Sequence, residues 1–153
     1  MPAALVTGTF NPPHMGHVKL IKAAIEKRDH VVVVVLAQPH DRLTAHDRAR
    51  ALMQDCVAEG VAESAMTIVH GYESTPYKPD NPDVAKSNAR VIEAHLRHTP
   101  PVDLLVTSEI NGEQFAQLLG LHSYSFDPER TQVPVSSTQI REGLANNWHL
   151  LGP

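Results

Sequence analysis

Residues 31 to 35 are five consecutive valines, continued by Leu36 and Ala37. β-branched side chains favour extended backbone. An apolar run without alternation suits a strand covered on both faces. Such strands belong to parallel sheets held between helices, so this segment alone points to an α/β chain.

The rest of the pattern agrees. Ala4 to Thr7 reads as a short buried strand before Gly8. His14 to Arg28 reads as a helix, with Val18, Ile21 and Ile25 on one face and Leu20 and Ala24 widening it. Thr44 to Glu59 is a second helix, facing inward through Ala49, Leu52, Met53, Cys56 and Val57 and stopped by Gly60. Met66 to Val69 is a strand, followed by a Pro-rich loop from Gly71 to Pro82. Asp83 to His98 forms a helix with Ala85, Ala89, Ile92 and Leu96 inward. Val102 to Thr107 is a strand broken only by Asp103. Gly112 to Leu119 is a short helix with Phe115 and Leu118 in the core, and Gly120 ends it. A strand from His122 to Phe126 and a helix from Ser136 to Leu144 complete the order. The alternation predicts a Rossmann-like, doubly wound parallel sheet of about five strands, α/β in class, in a single domain over residues 1 to 153. Ligands of such sheets sit at the carboxyl ends of the strands.

Several function classes fall away. One cysteine, Cys56, excludes an internal disulfide framework and a cysteine-based zinc site. The longest apolar run is far short of a membrane span, and no secretory signal opens the chain, so a cytoplasmic setting is expected. A net charge of -4 gives no support for binding nucleic acid through a basic surface.

The first strand runs into Gly8-Thr9-Phe10-Asn11-Pro12-Pro13-His14-Met15-Gly16-His17. Neither a P-loop nor the G-x-G-x-x-G fingerprint is present. Even so, a loop between a strand and a helix N-terminus is a natural anion site. Gly8 lets a ligand approach the backbone. His14 and His17 are three residues apart on the first helical turn and so face the same way. Two readings stand: donors aimed at a phosphate, or two surface histidines in a polar loop. A metal pair has no identifiable third ligand. Val135-Ser136-Ser137-Thr138-Gln139-Ile140-Arg141 also has two readings. Its hydroxyls cap a helix, or they join Arg141 in a second phosphate cradle.

Together these segments resemble the two signatures of the nucleotidyltransferase superfamily. Gly8 to His17 is similar to its (H/T)xGH motif, and residues 135 to 141 to its ISSTxIR motif. The likeness spans essentially the whole chain. Within the superfamily, the first motif is similar to that of the pyridine-nucleotide adenylyltransferases. Leu43-Thr44-Ala45-His46-Asp47-Arg48 resembles the nicotinamide branch. Thr107-Ser108-Glu109, Phe115 and Asn147-Trp148-His149-Leu150-Leu151 resemble the adenylyltransferase part of regulator-type enzymes that also carry a ribosylnicotinamide kinase. No Walker A motif is found, so the kinase part is expected to be absent. Two departures stand out: Val91 occupies the place of a ring-stacking Trp, and Thr9 and Asn11 are neutral where some relatives carry Lys or Arg.

The resemblance implies transfer of AMP from ATP to nicotinamide mononucleotide, giving NAD and pyrophosphate. The alternatives are nicotinate mononucleotide or phosphopantetheine as acceptor, or a nucleotide-binding sensor without turnover. It implies catalytic roles for His14, His17 and Arg141. His17 would meet the α-phosphate, and Arg141 and Arg48 the outer phosphates. Gly8, Thr9, Phe10, Gly16, Ser136, Ser137, Thr138 and Glu109 would contact ATP, and Asn11, Asn88 and Tyr77 the acceptor. Mg²⁺ would be held through phosphates and water, with no carboxylate cage. The expected partners are these two nucleotides, neither nucleic acid nor membrane, with a homo-oligomer left open. Cys56 reads as core packing. His40, Asp41 and Asp47 read as loop polar groups that substrate could reach.

Overall fold

The computed structural model describes residues 1–79, 81–109 and 111–126. Its sheet has five parallel strands, β1 (Ala3–Gly8), β2 (Val31–Ala37), β3 (Met66–Tyr72), β4 (Val102–Thr107) and β5 (His122–Ser125). They stand in the order β3-β2-β1-β4-β5. Four α-helices connect them: α1 (Met15–Lys27), α2 (Ala45–Ala58), α3 (Pro82–His95) and α4 (Gly112–Leu119). The chain first winds outward from β1 through β2 to β3. It then returns across the sheet to β4 on the other side of β1. The β1/β4 boundary is therefore the switch point at which an open α/β sheet leaves a crevice.

The valine run shows why both faces are apolar. Val31, Val33 and Val35 pack with Val18, Ile21, Leu52 and Cys56 of α1 and α2. Val32, Val34 and Leu36 pack on the other face with Ala85, Ala89, Ile92 and Phe115 of α3 and α4. Every residue of β2 is buried, as a strand flanked on both edges and both faces must be. Asp103 interrupts β4 because it holds the end of α1. Arg28 Nε donates to its Oδ1 at 2.9 Å and the Arg28 terminal nitrogen to its Oδ2 at 3.2 Å.

The elements differ from the sequence reading at their ends. β3 runs on through Tyr72, because Val35–Ala37 of β2 pair with His70–Tyr72. Gly71 therefore leaves the loop for the strand, while Pro82 takes the first turn of α3. α3 stops at His95 and β5 at Ser125. A short 3₁₀ turn, Glu63–Ala65, precedes β3. Two core assignments are corrected. Leu118 is 39% exposed and Val57 is 46% exposed. α4 buries Gly112, Phe115 and Ala116, an i, i+3, i+4 stripe that leaves Leu118 outside it. The helix read over residues 136 to 144 lies outside the described residues.

Candidate active site

The β1–α1 loop is shaped by Phe10. Its φ is +48°, in the left-handed region that a bulky residue seldom adopts. That turn drives the ring into the core, where it is 2% exposed. Gly8 is matched to it: a Cβ there would lie 3.3 Å from the ring. The chain then enters α1 through a two-histidine cap. His14 is the N-cap residue, not part of the first turn, and its Nδ1 accepts from the Gly16 amide at 3.0 Å. The His14 amide in turn donates to His17 Nδ1, also at 3.0 Å. The imidazoles stack with centroids 3.7 Å apart, and the Phe10 ring meets His17 edge-on at 4.6 Å.

This cap fixes the chemistry of both rings. An Nδ1 that accepts from a backbone N–H carries no proton, so in each neutral imidazole the proton sits on Nε2. The helix end therefore presents imidazole N–H donors.

α2 holds the loop from beneath. Arg48 is fully buried. Its Nε donates to the Leu43 carbonyl at 2.9 Å, one terminal nitrogen to the Thr9 carbonyl at 3.1 Å, and the other to Asp41 Oδ2 at 2.8 Å. Asp41 Oδ2 also accepts from the Gln38 amide at 3.0 Å. Burial pushes the Asp41 carboxyl up, but the Gln38 amide and the Arg48 guanidinium outweigh that and leave it below the usual carboxylate range. Arg48 thus ties the loops after β1 and β2 together. Asp47 is exposed and serves the helix instead, its amide capped by Thr44 Oγ1 at the start of α2.

The loop after β3 folds back over the end of β1. Tyr77 Oη lies 2.7 Å from Thr7 Oγ1, and its half-buried ring meets Phe115 edge-on. Burial raises the Tyr77 phenol, the Thr7 bond lowers it, and the charges of Glu109 and Glu73 raise it further. Asn88 of α3 organises the loop. Its Nδ2 donates to both carboxylate oxygens of Glu73 at 2.9 and 3.0 Å and to the Pro76 carbonyl at 3.2 Å. Its Oδ1 accepts from the Lys78 amide at 2.9 Å.

These loops enclose a cavity of about 610 Å³ at the carboxyl ends of β1, β2, β3 and β4. Gly8, Thr9, Phe10, Asn11, His14, Gly16, His17, Arg48, Tyr77 and Glu109 all line it. Asn88 does not: it stands behind the loop and brings Glu73, Tyr77 and Lys78 to the wall. Tyr72 is likewise off the wall, exposed at the end of β3. Ser136, Ser137, Thr138 and Arg141 lie outside the described residues, as does Trp148. Sequence reasoning missed Glu73, whose only signal was its place just past a strand end. It also left Asp41 among ordinary loop polar groups.

A family model described as cytidylyltransferase-like matches residues 5–143. The trifunctional NAD biosynthesis/regulator protein NadR of Escherichia coli (strain K12) is 28% identical over 159 residues, covering 96% of this chain and 38% of that protein. The nicotinamide-nucleotide adenylyltransferase of Ignicoccus hospitalis is 29% identical over 110 residues, covering 68% of this chain and 57% of that one. The chain therefore spans roughly two fifths to three fifths of these relatives' lengths. A crystal structure of a NadR protein in complex with NAD and AMP-PNP superposes with a TM-score of 0.64 at 21% identity, covering 99% of this chain and 44% of that one. At that identity the likeness speaks for the fold.

Proposed function

The chain belongs to the cytidylyltransferase-like family of nucleotidyltransferases, and we propose that it transfers AMP from ATP to nicotinamide mononucleotide, forming NAD and pyrophosphate. The observation that carries this reading is the stacked His14–His17 pair on the wall of a cavity at the β1/β4 switch point. The names of the relatives support it: NAD biosynthesis for one and nicotinamide-nucleotide adenylyl transfer for another.

The chemistry asks little of a general base. The 5′-phosphate of the acceptor is ionised at neutral pH and attacks the α-phosphorus of ATP in line. The bond between that phosphorus and the bridging oxygen breaks, and pyrophosphate leaves with its electron pair. Catalysis is then positioning plus donors aimed at charge that builds in the transition state. His17 Nε2–H meets the α-phosphate and His14 Nε2–H the adjoining phosphate oxygens. Gly8, Thr9, Phe10, Asn11 and Gly16 shape the nucleotide floor. Ser136, Ser137, Thr138 and Arg141 supply the second cradle. Arg48, which the resemblance puts at the outer phosphates, has Nε and both terminal nitrogens bonded within the protein and serves mainly by fixing the Thr9 carbonyl, and so the loop that carries both imidazoles. Tyr77 and the loop held by Asn88 form the acceptor wall.

Mg²⁺ would arrive on the ATP phosphates and neutralise charge on the leaving group. Among the described residues no cluster of three or more His, Cys, Asp or Glu side chains is placed to hold a metal.

The test is pyrophosphate release from ATP and Mg²⁺ with nicotinamide mononucleotide, nicotinate mononucleotide and phosphopantetheine side by side. Preference for the first is the expected result. Preference for another acceptor, or no release with any, contradicts the reading.

A further inference from the structure

The cavity that the two imidazoles line also carries the carboxylates Glu73 and Glu109. Glu73 lines the cavity yet is only 6% exposed. Both of its oxygens accept from Asn88 Nδ2, an arrangement open to an ionised carboxylate. Among the described residues no Lys or Arg forms an ion pair with it. Glu109 lines the same cavity, and the charges of both carboxylates raise the Tyr77 phenol. The other described charges on the cavity wall are Asp41, Arg48 and Lys78. Arg48 is already committed to Asp41, and Lys78 is exposed on the loop. Asn88, the amide behind this wall, has its donors occupied by Glu73 and the Pro76 carbonyl. A ligand carboxylate arriving here meets like charge and no free amide donor from Asn88.

We propose that Glu73 is a specificity-determining residue, whose buried carboxylate selects an acceptor bearing a cationic pyridinium and a neutral carboxamide over one bearing a ring carboxylate. The inference rests on the function proposed above and deepens it by naming how the acceptor is chosen. Attraction for the ring cation and repulsion of a ring carboxylate act in the same direction, so discrimination combines a favourable and an unfavourable contact. A cation beside Glu73 opposes the effect of burial, which raises this carboxyl against the Asn88 bond and the charge of His95.

The experiment measures kcat/KM for nicotinamide and nicotinate mononucleotides, and for the reduced dihydronicotinamide mononucleotide. The last keeps the carboxamide and phosphate but has an uncharged ring. Wild-type protein and Glu73→Gln are compared, with melting curves to confirm folding. The wild type is expected to favour the cationic carboxamide over both others. Glu73→Gln is expected to shrink each ratio about tenfold or more, through the acceptor KM and with the ATP KM unchanged. Should the variant fail to fold, the wild-type preference for the charged over the reduced ring decides the matter: present, it supports the proposal, and absent, it overturns it. Pyrophosphate release with unchanged ratios in a folded variant overturns the role of Glu73 alone. No release with any pyridine mononucleotide overturns the adenylyl-transfer reading itself, and this inference with it.

Discussion

His14 and His17 cap one helix from opposite directions, each Nδ1 accepting a backbone N–H at 3.0 Å while the rings stack at 3.7 Å. The bonds that hold the rings also fix their tautomers. A doubly protonated imidazole has no acceptor nitrogen and would break its half of the cap. Helix stability and the presentation of two Nε2–H donors are therefore the same structural fact.

Cap and chemistry can nevertheless be separated. Asn is a good N-cap residue, so His14→Asn is expected to melt near the wild type, whereas His14→Ala loses about 1 kcal/mol. Both should lose turnover, since neither supplies an N–H donor at the place of Nε2. Melting curves and steady-state rates on the two variants check this. Wild-type turnover in His14→Asn would remove His14 from the reaction.

Asp41→Asn tests the clamp beneath the loop. Arg48 would keep its buried charge and lose its ionised partner, at a cost of about 2 kcal/mol for a charge-assisted bond. Since the Asp41 carboxyl lies below its ordinary value, the pair stabilises the fold above that ordinary value, and the contribution is lost as pH falls through the lowered one. The lead of wild type over the variant in denaturant melts should therefore be widest near neutral pH and shrink in acid. A constant lead from pH 7 to about pH 2 would contradict the pairing.

Asn88→Ala removes the support of the acceptor wall. Glu73 would lose its donor and the Lys78 amide its acceptor, costing about 2 kcal/mol. The acceptor KM is expected to rise while the ATP KM stays near wild type. Equal rises in both would show that the loop serves the whole cavity.

Cys56 is buried against β2, and burial pushes its thiol up to about 12, with Asp55 adding to the shift. Folded protein should resist an alkylating reagent at mildly alkaline pH and react once denatured. Rapid labelling of the native chain would contradict its place in the core.

Much of this architecture was legible because it rests on local pattern. The valines of β2, the run of β4 and the Gly120 stop of α4 all fell where the sequence set them. Gly120 takes φ +70°, which a helix ending favours in glycine. The extension of β3 was not legible, because His70 to Tyr72 become strand only by pairing with β2. Leu118 misled because an eight-residue helix offers too few turns to fix its phase. Gly112 is buried under the Thr107 methyl, where a Cβ would collide, and that contact belongs to tertiary structure. At the site, spacing brought His14 and His17 to one helix end, while the choice between phosphate donors and surface histidines came from the family resemblance. Arg48 was readable as a motif residue, but its burial and its bond to Thr9 were not. Glu73 and Asn88 are 15 residues apart and meet only when the loop folds back, so Asn88 was marked only by the family resemblance and its bond to Glu73 was not legible.

The most direct measurement is formation of NAD and pyrophosphate from ATP, Mg²⁺ and nicotinamide mononucleotide by wild type and by His17→Gln, with melting curves taken in parallel. The account predicts equal yields of the two products from the wild type. It predicts a folded variant slower by about 10²-fold or more, the loss of one positioned transition-state donor. A folded His17→Gln protein that turns over at the wild-type rate would contradict the central role given to the capped histidine pair.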